Sequence, residues 1–114
     1  MKANLLMRER HQLAPDAFVE MRIWRVPQSV RGSAHMFKYA LAYVVAGACV
    51  LRYDNEAGKG DHRHIGDVEI SYDFSTPAQL LRDFWADVDG WSHGVSLRNN
   101  WRRRARRRWR NGDG

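Results

Sequence analysis

Apolar and polar residues alternate along most of the first two thirds of the chain, and the alternation predicts strands. From Lys2 to Leu13, Ala3, Leu5 and Met7 are interleaved with Asn4, Leu6 and Arg8, the period of a half-buried strand. Pro15-Asp16 predicts a turn, and Phe18 to Val26 then alternates again, with Val19, Met21 and Ile23 on one face. Pro27 ends that segment, so the two strands form a hairpin. Gln28 to Met36 has no sustained period and reads as a loop carrying Arg31 and His35. Phe37–Val45 and Ala48–Tyr53 are the most apolar stretches, with Ala46-Gly47 as the turn between them. Gly47 and the β-branched Val44, Val45 and Val50 argue against one long helix there. Ile65 to Phe74 predicts a further strand, with Ile65, Val68, Ile70, Tyr72 and Phe74 as its apolar residues.

The period changes after Phe74. Ser75-Thr76-Pro77-Ala78-Gln79 is a helix start, with Thr76 or Ser75 as cap and Pro77 in the first turn. Leu80, Leu81, Phe84, Trp85, Val88 and Trp91 recur at helical spacing, and Gly90 loosens the end. Phe84, Trp85 and Val88 are expected to pack on the sheet. The architecture these elements imply is α+β, an antiparallel sheet of about five strands with one C-terminal helix across a face.

The connection between the fourth and fifth strands carries the candidate chemistry. Tyr53 to His64 packs two histidines, a lysine, an arginine and three acids into a stretch loosened by Gly58 and Gly60. Where the chain becomes extended again at Asp61, residues two apart share a face, which sets His62 and His64 roughly 7 Å apart. Two imidazoles so placed can flank one phosphate, as base and acid, while Lys59 and Arg63 offer positive charge to a phosphorane. That is a toolkit for metal-free RNA cleavage by an adjacent 2′-hydroxyl, with no cofactor. Two other readings compete: a solvated turn-rich hairpin loop, and a His-x-His metal site with Asp61, Asp67 or Asp54 as third ligand. Lys59 and Arg63 beside the histidines favour an anion over a cation.

Length and composition bound the rest. With 114 residues, 44% of them hydrophobic, the chain suits one globular domain. Cys49, the only cysteine, excludes an internal disulfide and a cysteine-rich zinc site, and reads as a core thiol in a reducing compartment. No apolar block is long enough for a signal peptide or a membrane span, so a cytoplasmic protein without membrane contact is expected.

Charge divides the chain. Residues 98–114 hold eight arginines and one acid, whereas residues 1–97 hold 11 basic and 12 acidic residues. The net charge of +6 is therefore the property of a tail. The expected organisation is a domain over 1–91 and a linker with an arginine-rich tail over 92–114. Within the tail, Arg98, Trp101, Arg102, Arg103, Arg104, Arg106, Arg107, Arg108, Trp109 and Arg110 combine guanidinium groups for phosphates with indoles for bases. Like-charge repulsion predicts disorder in the free protein and folding on an acidic partner. A groove on an acidic protein would serve as well as RNA, and an inert tail acquired by read-through is the third reading.

Phe37-Lys38-Tyr39 with Leu41-Ala42-Tyr43, then Val50-Leu51-Arg52-Tyr53-Asp54-Asn55, then Lys59-Gly60-Asp61-His62-Arg63-His64, and finally the Pro77–Trp85 helix resemble the TumE-like toxins of type II toxin-antitoxin pairs. The likeness covers Lys2 to Trp91, and its most specific part is Tyr53-Asp54-Asn55 with Lys59-Gly60 and His62-Arg63-His64. It implies a cytoplasmic, growth-inhibiting protein with a cognate antitoxin as partner and RNA as a target. The arginine-rich tail departs from the family pattern. The leading expectation is a metal-independent endoribonuclease in which His62 and His64 transfer protons, Lys59 and Arg63 hold phosphate, and Asp54 or Tyr53 orients an imidazole. A non-enzymatic module binding nucleic acid or protein through the tail is the second, and a metal-dependent nuclease or nucleotidyl-modifying enzyme the third.

Overall fold

A computed structural model describes residues 2–94, 96, 97 and 101. Six antiparallel strands pair in chain order: β1 (Asn4–Ala14), β2 (Ala17–Arg25), β3 (Phe37–Val45), β4 (Ala48–Glu56), β5 (Gly60–Ile65) and β6 (Val68–Ser71). One helix, α1 (Pro77–Ser92), follows. The α+β architecture expected from the pattern is present, with one strand more than expected.

Turn chemistry explains the meander. Ala46 and Gly47 both take positive φ (51° and 80°), the mirror-image turn whose twist suits a two-residue hairpin. The extra strand comes from the stretch expected to be a connection. β4 continues through Asp54, Asn55 and Glu56, turns over Ala57-Gly58-Lys59, and returns as β5. Ile65 to Phe74 is correspondingly not one strand, because Gly66 (φ 56°) and Asp67 turn the chain between β5 and β6. Asp61–His64 is polar at every position, so a hydrophobic pattern does not register the alternation of its faces.

The sheet's inner face carries the core. Val19, Met21 and Ile23 of β2, Tyr39, Leu41 and Tyr43 of β3, and Leu51 and Tyr53 of β4 are all buried and form one core with Leu80, Phe84 and Val88 of α1. Thr76 caps the helix as expected, its hydroxyl accepting from the Gln79 N–H at 3.1 Å. Gly90 does not end it. Two assignments change. Trp85 lies at the helix margin, 36% exposed, with its ring 6.4 Å from that of His11. Cys49, expected in the core, is exposed, because the register shift between Tyr43 and Val44 re-aims the start of β4.

The packed body also reaches further along the chain than residue 91. Leu97 and Trp101 are each 2% exposed and belong to the core. The Trp101 indole lies over the Arg63 guanidinium, 4.3 Å from ring centroid to Cζ, and donates to Asp87 Oδ2 at 3.2 Å.

Candidate functional site

Register on β4 and β5 sorts the candidate residues onto two faces. Asp54 pairs with His62 and Arg52 with His64, while Tyr53 pairs with Arg63 between them. Since side chains alternate along a strand, Arg52, Asp54, His62 and His64 stand on the outer face, away from α1, and Tyr53 and Arg63 point into the core.

On the outer face the imidazoles of His62 and His64 approach to 4.9 Å between centroids, edge to face. His62 is buried. Its Nδ1 lies 3.0 Å from the Gly60 carbonyl oxygen, and its Nε2 2.6 Å from Asp54 Oδ1. Both ring nitrogens therefore face oxygen acceptors. Asp54 Oδ1 nevertheless has no aligned donor, so the short approach is a close contact off the hydrogen-bond direction. The other Asp54 oxygen accepts from Arg52 Nε at 2.7 Å. His64 is the accessible imidazole, its side chain 26% exposed and Nδ1 3.6 Å from Glu69 Oε2. Lys59 Nζ reaches the same carboxylate at 3.7 Å. A depression of about 260 Å³, lined by Arg52, Asp54, Glu56, Lys59 and His64 among others, opens here.

Of the residues expected at the site, the structure thus brings together Lys59, Asp54, His62 and His64. Arg63 and Tyr53 are corrected: one residue of alternation carries each to the opposite face. Arg63 is buried, donates to the Tyr53 hydroxyl at 3.0 Å and pairs with Asp87 at 3.5 Å. The Tyr53 hydroxyl also donates to Asp87. Burial first, then the Asp87 charge, pushes the Tyr53 phenol well above the usual range, so it stays protonated in the core. Arg52 and Glu69 were not expected at the site. Period two from Asp54 could have found Arg52, but Glu69 required the β5–β6 register, where it sits opposite His64.

Asp54, His62 and His64 each offer a ligand atom within 4.8 Å of the others, a spacing from which modest side-chain movement would close them on one divalent ion. Asp61, an earlier candidate for that role, is on the inner face and otherwise engaged. Its carboxylate accepts from Ser33 Oγ at 2.5 Å and Tyr39 OH at 2.7 Å, and contacts His35 Nε2 at 2.6 Å.

That network fixes the loop between β2 and β3, which the sequence pattern left without structure. His35 stacks on Phe74 with centroids 3.8 Å apart, and the Gly58 N–H donates to the Arg31 carbonyl at 2.7 Å. Gly32 and Gly60 touch backbone to backbone, where a Cβ on Gly32 would lie 2.8 Å from Gly60 N. The loop therefore braces the back of the hairpin that carries the histidines, and His35 is not part of the outer cluster.

In the tail, Trp101 is a core residue and unavailable for base stacking. Arg98, Arg102, Arg103, Arg104, Arg106, Arg107, Arg108, Trp109 and Arg110 lie outside the described residues. Among the described residues no helix is long and apolar enough to cross a membrane.

No curated protein sequence and no solved structure matches the chain significantly. A sequence model of one family does, that of the toxin TumE, over residues 3–92. The match takes in all six strands, both faces of the β4–β5 hairpin and the whole of α1. The chain belongs to the TumE toxin family.

Proposed function

We propose that the protein is the toxin of a type II pair, held in check by a cognate antitoxin in the cytoplasm, and that it cleaves RNA at the outer face of the β4–β5 hairpin. The observation that carries this reading is the pairing of two unlike imidazoles 4.9 Å apart, one accessible and one buried on a carboxylate.

The unlike environments suggest unlike roles. His64, exposed at the depression, takes the proton of the 2′-hydroxyl as the O2′–P bond forms. His62 is the proton donor as the P–O5′ bond breaks: its Nε2 turns from Asp54 toward the depression and gives its proton to the leaving oxygen. Asp54 acts through His62, holding its ring, and is a positioning residue. Lys59 and Arg52 supply positive charge at the rim for the phosphate oxygens, in the place first assigned to Lys59 and Arg63. The products are a 2′,3′-cyclic phosphate and a 5′-hydroxyl, and no cofactor takes part.

The test is cleavage by the purified full chain in excess chelator, with analysis of the new ends. Cyclic phosphate ends, and no cut where the substrate carries a 2′-deoxy at the scissile position, support the reading. Cleavage of that deoxy substrate would overturn it. A second reading is favoured by one observation, the spacing of Asp54, His62 and His64 within 4.8 Å: a metal-dependent nuclease. Loss of activity in chelator with recovery on adding a divalent ion would select it.

A further inference from the structure

β1 is an edge strand, paired on one side with β2 and, among the described residues, with nothing on the other. Every residue from Asn4 to Ala14 except the half-buried Met7 is exposed, including Leu5 (52%), Leu6 (53%) and Leu13 (44%). Register shifts place Leu6 and Leu13 as extra residues in the strand, so bulges blunt its two ends. Met7–Gln12 between them is regular and offers open backbone N–H and C=O groups, a template for another strand.

A second copy of the chain is a poor occupant. Two copies of β1 pairing antiparallel about a two-fold axis normal to the sheet bring together residues that share a face. Within Met7–Gln12 the two registers that pair five residues set either Glu9 on Glu9, with Arg8 against Arg10 on both sides, or Arg10 on Arg10. Like charges directly opposite destabilise a pair.

The charges select something else. Across β1 and β2, Arg8 lies directly opposite Arg22, and among the described residues neither has a carboxylate partner. Arg22 Nε is buried without a hydrogen-bond partner. Arg10 has one carboxylate partner, Glu20 at 3.8 Å in an exposed pair, and its guanidinium also lies over the Phe18 ring, 3.8 Å from the centroid. Three arginines thus share the outer rim of the edge with one glutamate, while Met7 and the flanking leucines offer apolar surface.

We propose that β1 is the docking edge for an extended, acidic segment of a partner protein, added as a further strand with its carboxylates opposite Arg8 and Arg10. The inference uses no residue of the histidine cluster and draws on the toxin reading only for what kind of partner, an antitoxin, would supply the segment.

The test uses the full chain and a labelled peptide of roughly nine residues alternating glutamate with valine or threonine, beside the same peptide with lysine for glutamate. The expected result is saturable anisotropy for the glutamate peptide alone, slowed amide exchange over residues 4–14, and a loss of about tenfold or more in affinity in the double variant Arg8→Glu/Arg10→Glu. His64→Ala should bind the peptide unchanged, so failure of the cleavage reading leaves this one standing. Absence of binding, equal binding of the lysine peptide, protection confined to other strands, or unchanged affinity in the double variant would each overturn it. So would a dimer in sedimentation whose β1 amides are protected without peptide, which assigns the edge to a second copy.

Discussion

The Trp101 indole lies 4.3 Å from the Arg63 guanidinium and closes the inner face over a buried ion pair. A residue expected to stack on RNA bases and a residue expected to hold phosphate are instead each other's neighbours in the core. Trp101→Ala should therefore destabilise the fold by about 3–5 kcal/mol, the range for removing a buried aromatic, measured by urea denaturation. Arg63→Met, which removes a cation paired with the buried Asp87 carboxylate, should cost about 3 kcal/mol. Wild-type stability in both variants would show that this packing is not retained in solution.

Where the chain is cut matters for the same reason. Truncation after Trp91 removes two core residues, Leu97 and Trp101, and should yield an unstable protein. Truncation after Trp101 keeps them and removes seven of the eight tail arginines. If the tail contacts RNA, the protein cut after Trp101 should fold normally but lose salt dependence, flattening a slope of about −0.7 per phosphate contacted. An unchanged slope would remove RNA from the tail's partners.

Within the outer cluster the two histidines should separate by assay. His64→Ala should lower RNA cleavage ~10²–10⁴-fold and relieve growth arrest, with stability within roughly 0.5 kcal/mol of wild type. His62→Ala should relieve arrest as well, but at a stability cost of roughly 1–3 kcal/mol, because it opens a buried contact with Asp54. Arrest that persists in the double variant would remove both from the toxic activity.

Alkaline titration reads the inner face. The hydroxyls of Tyr39, Tyr53 and Tyr72 are pushed well above the usual phenol range by burial first, with Asp61, Asp87 and Asp83 respectively adding to it. In the unfolded chain they ionise near pH 10. Their contribution to stability is thus whole below about pH 10 and is lost above it, by up to about 1.4 kcal/mol per pH unit for each phenol. Phenolate absorbance from these three residues should rise together with unfolding in a pH-jump or pH-titration experiment. Ionisation of all three in a folded protein would contradict their burial.

The sequence pattern revealed most of the architecture because apolar alternation and turn residues act locally. Val19, Met21 and Ile23 announce an inner face, and Thr76-Pro77 a helix start, wherever they occur. The candidate site was legible in His62, His64, Asp54 and Lys59 but not in its sidedness. With Asp61–His64 extended, the alternation that sets His62 beside His64 also sends Arg63 to the other face, a consequence that grouping charges by nearness in sequence leaves out. Trp101 was misassigned for a related reason: arginines on both sides mask a single buried indole in any window of composition. Glu69 and the Asp61 network depend on registers between segments that no local pattern encodes.

The glycine-to-glycine contact between Gly32 and Gly60 has a consequence for how this site can change over generations. Two backbones in touch leave no room for a side chain at Gly32, and the positive φ of both residues (97° and 75°) adds a second restriction. The hairpin is seated from behind, so lengthening either the loop or the turn would displace both imidazoles at once. Change in the outer cluster is consequently open to replacement of rim side chains such as Arg52, Lys59 and Glu69, and closed to the insertion of loop residues by which many binding surfaces diversify.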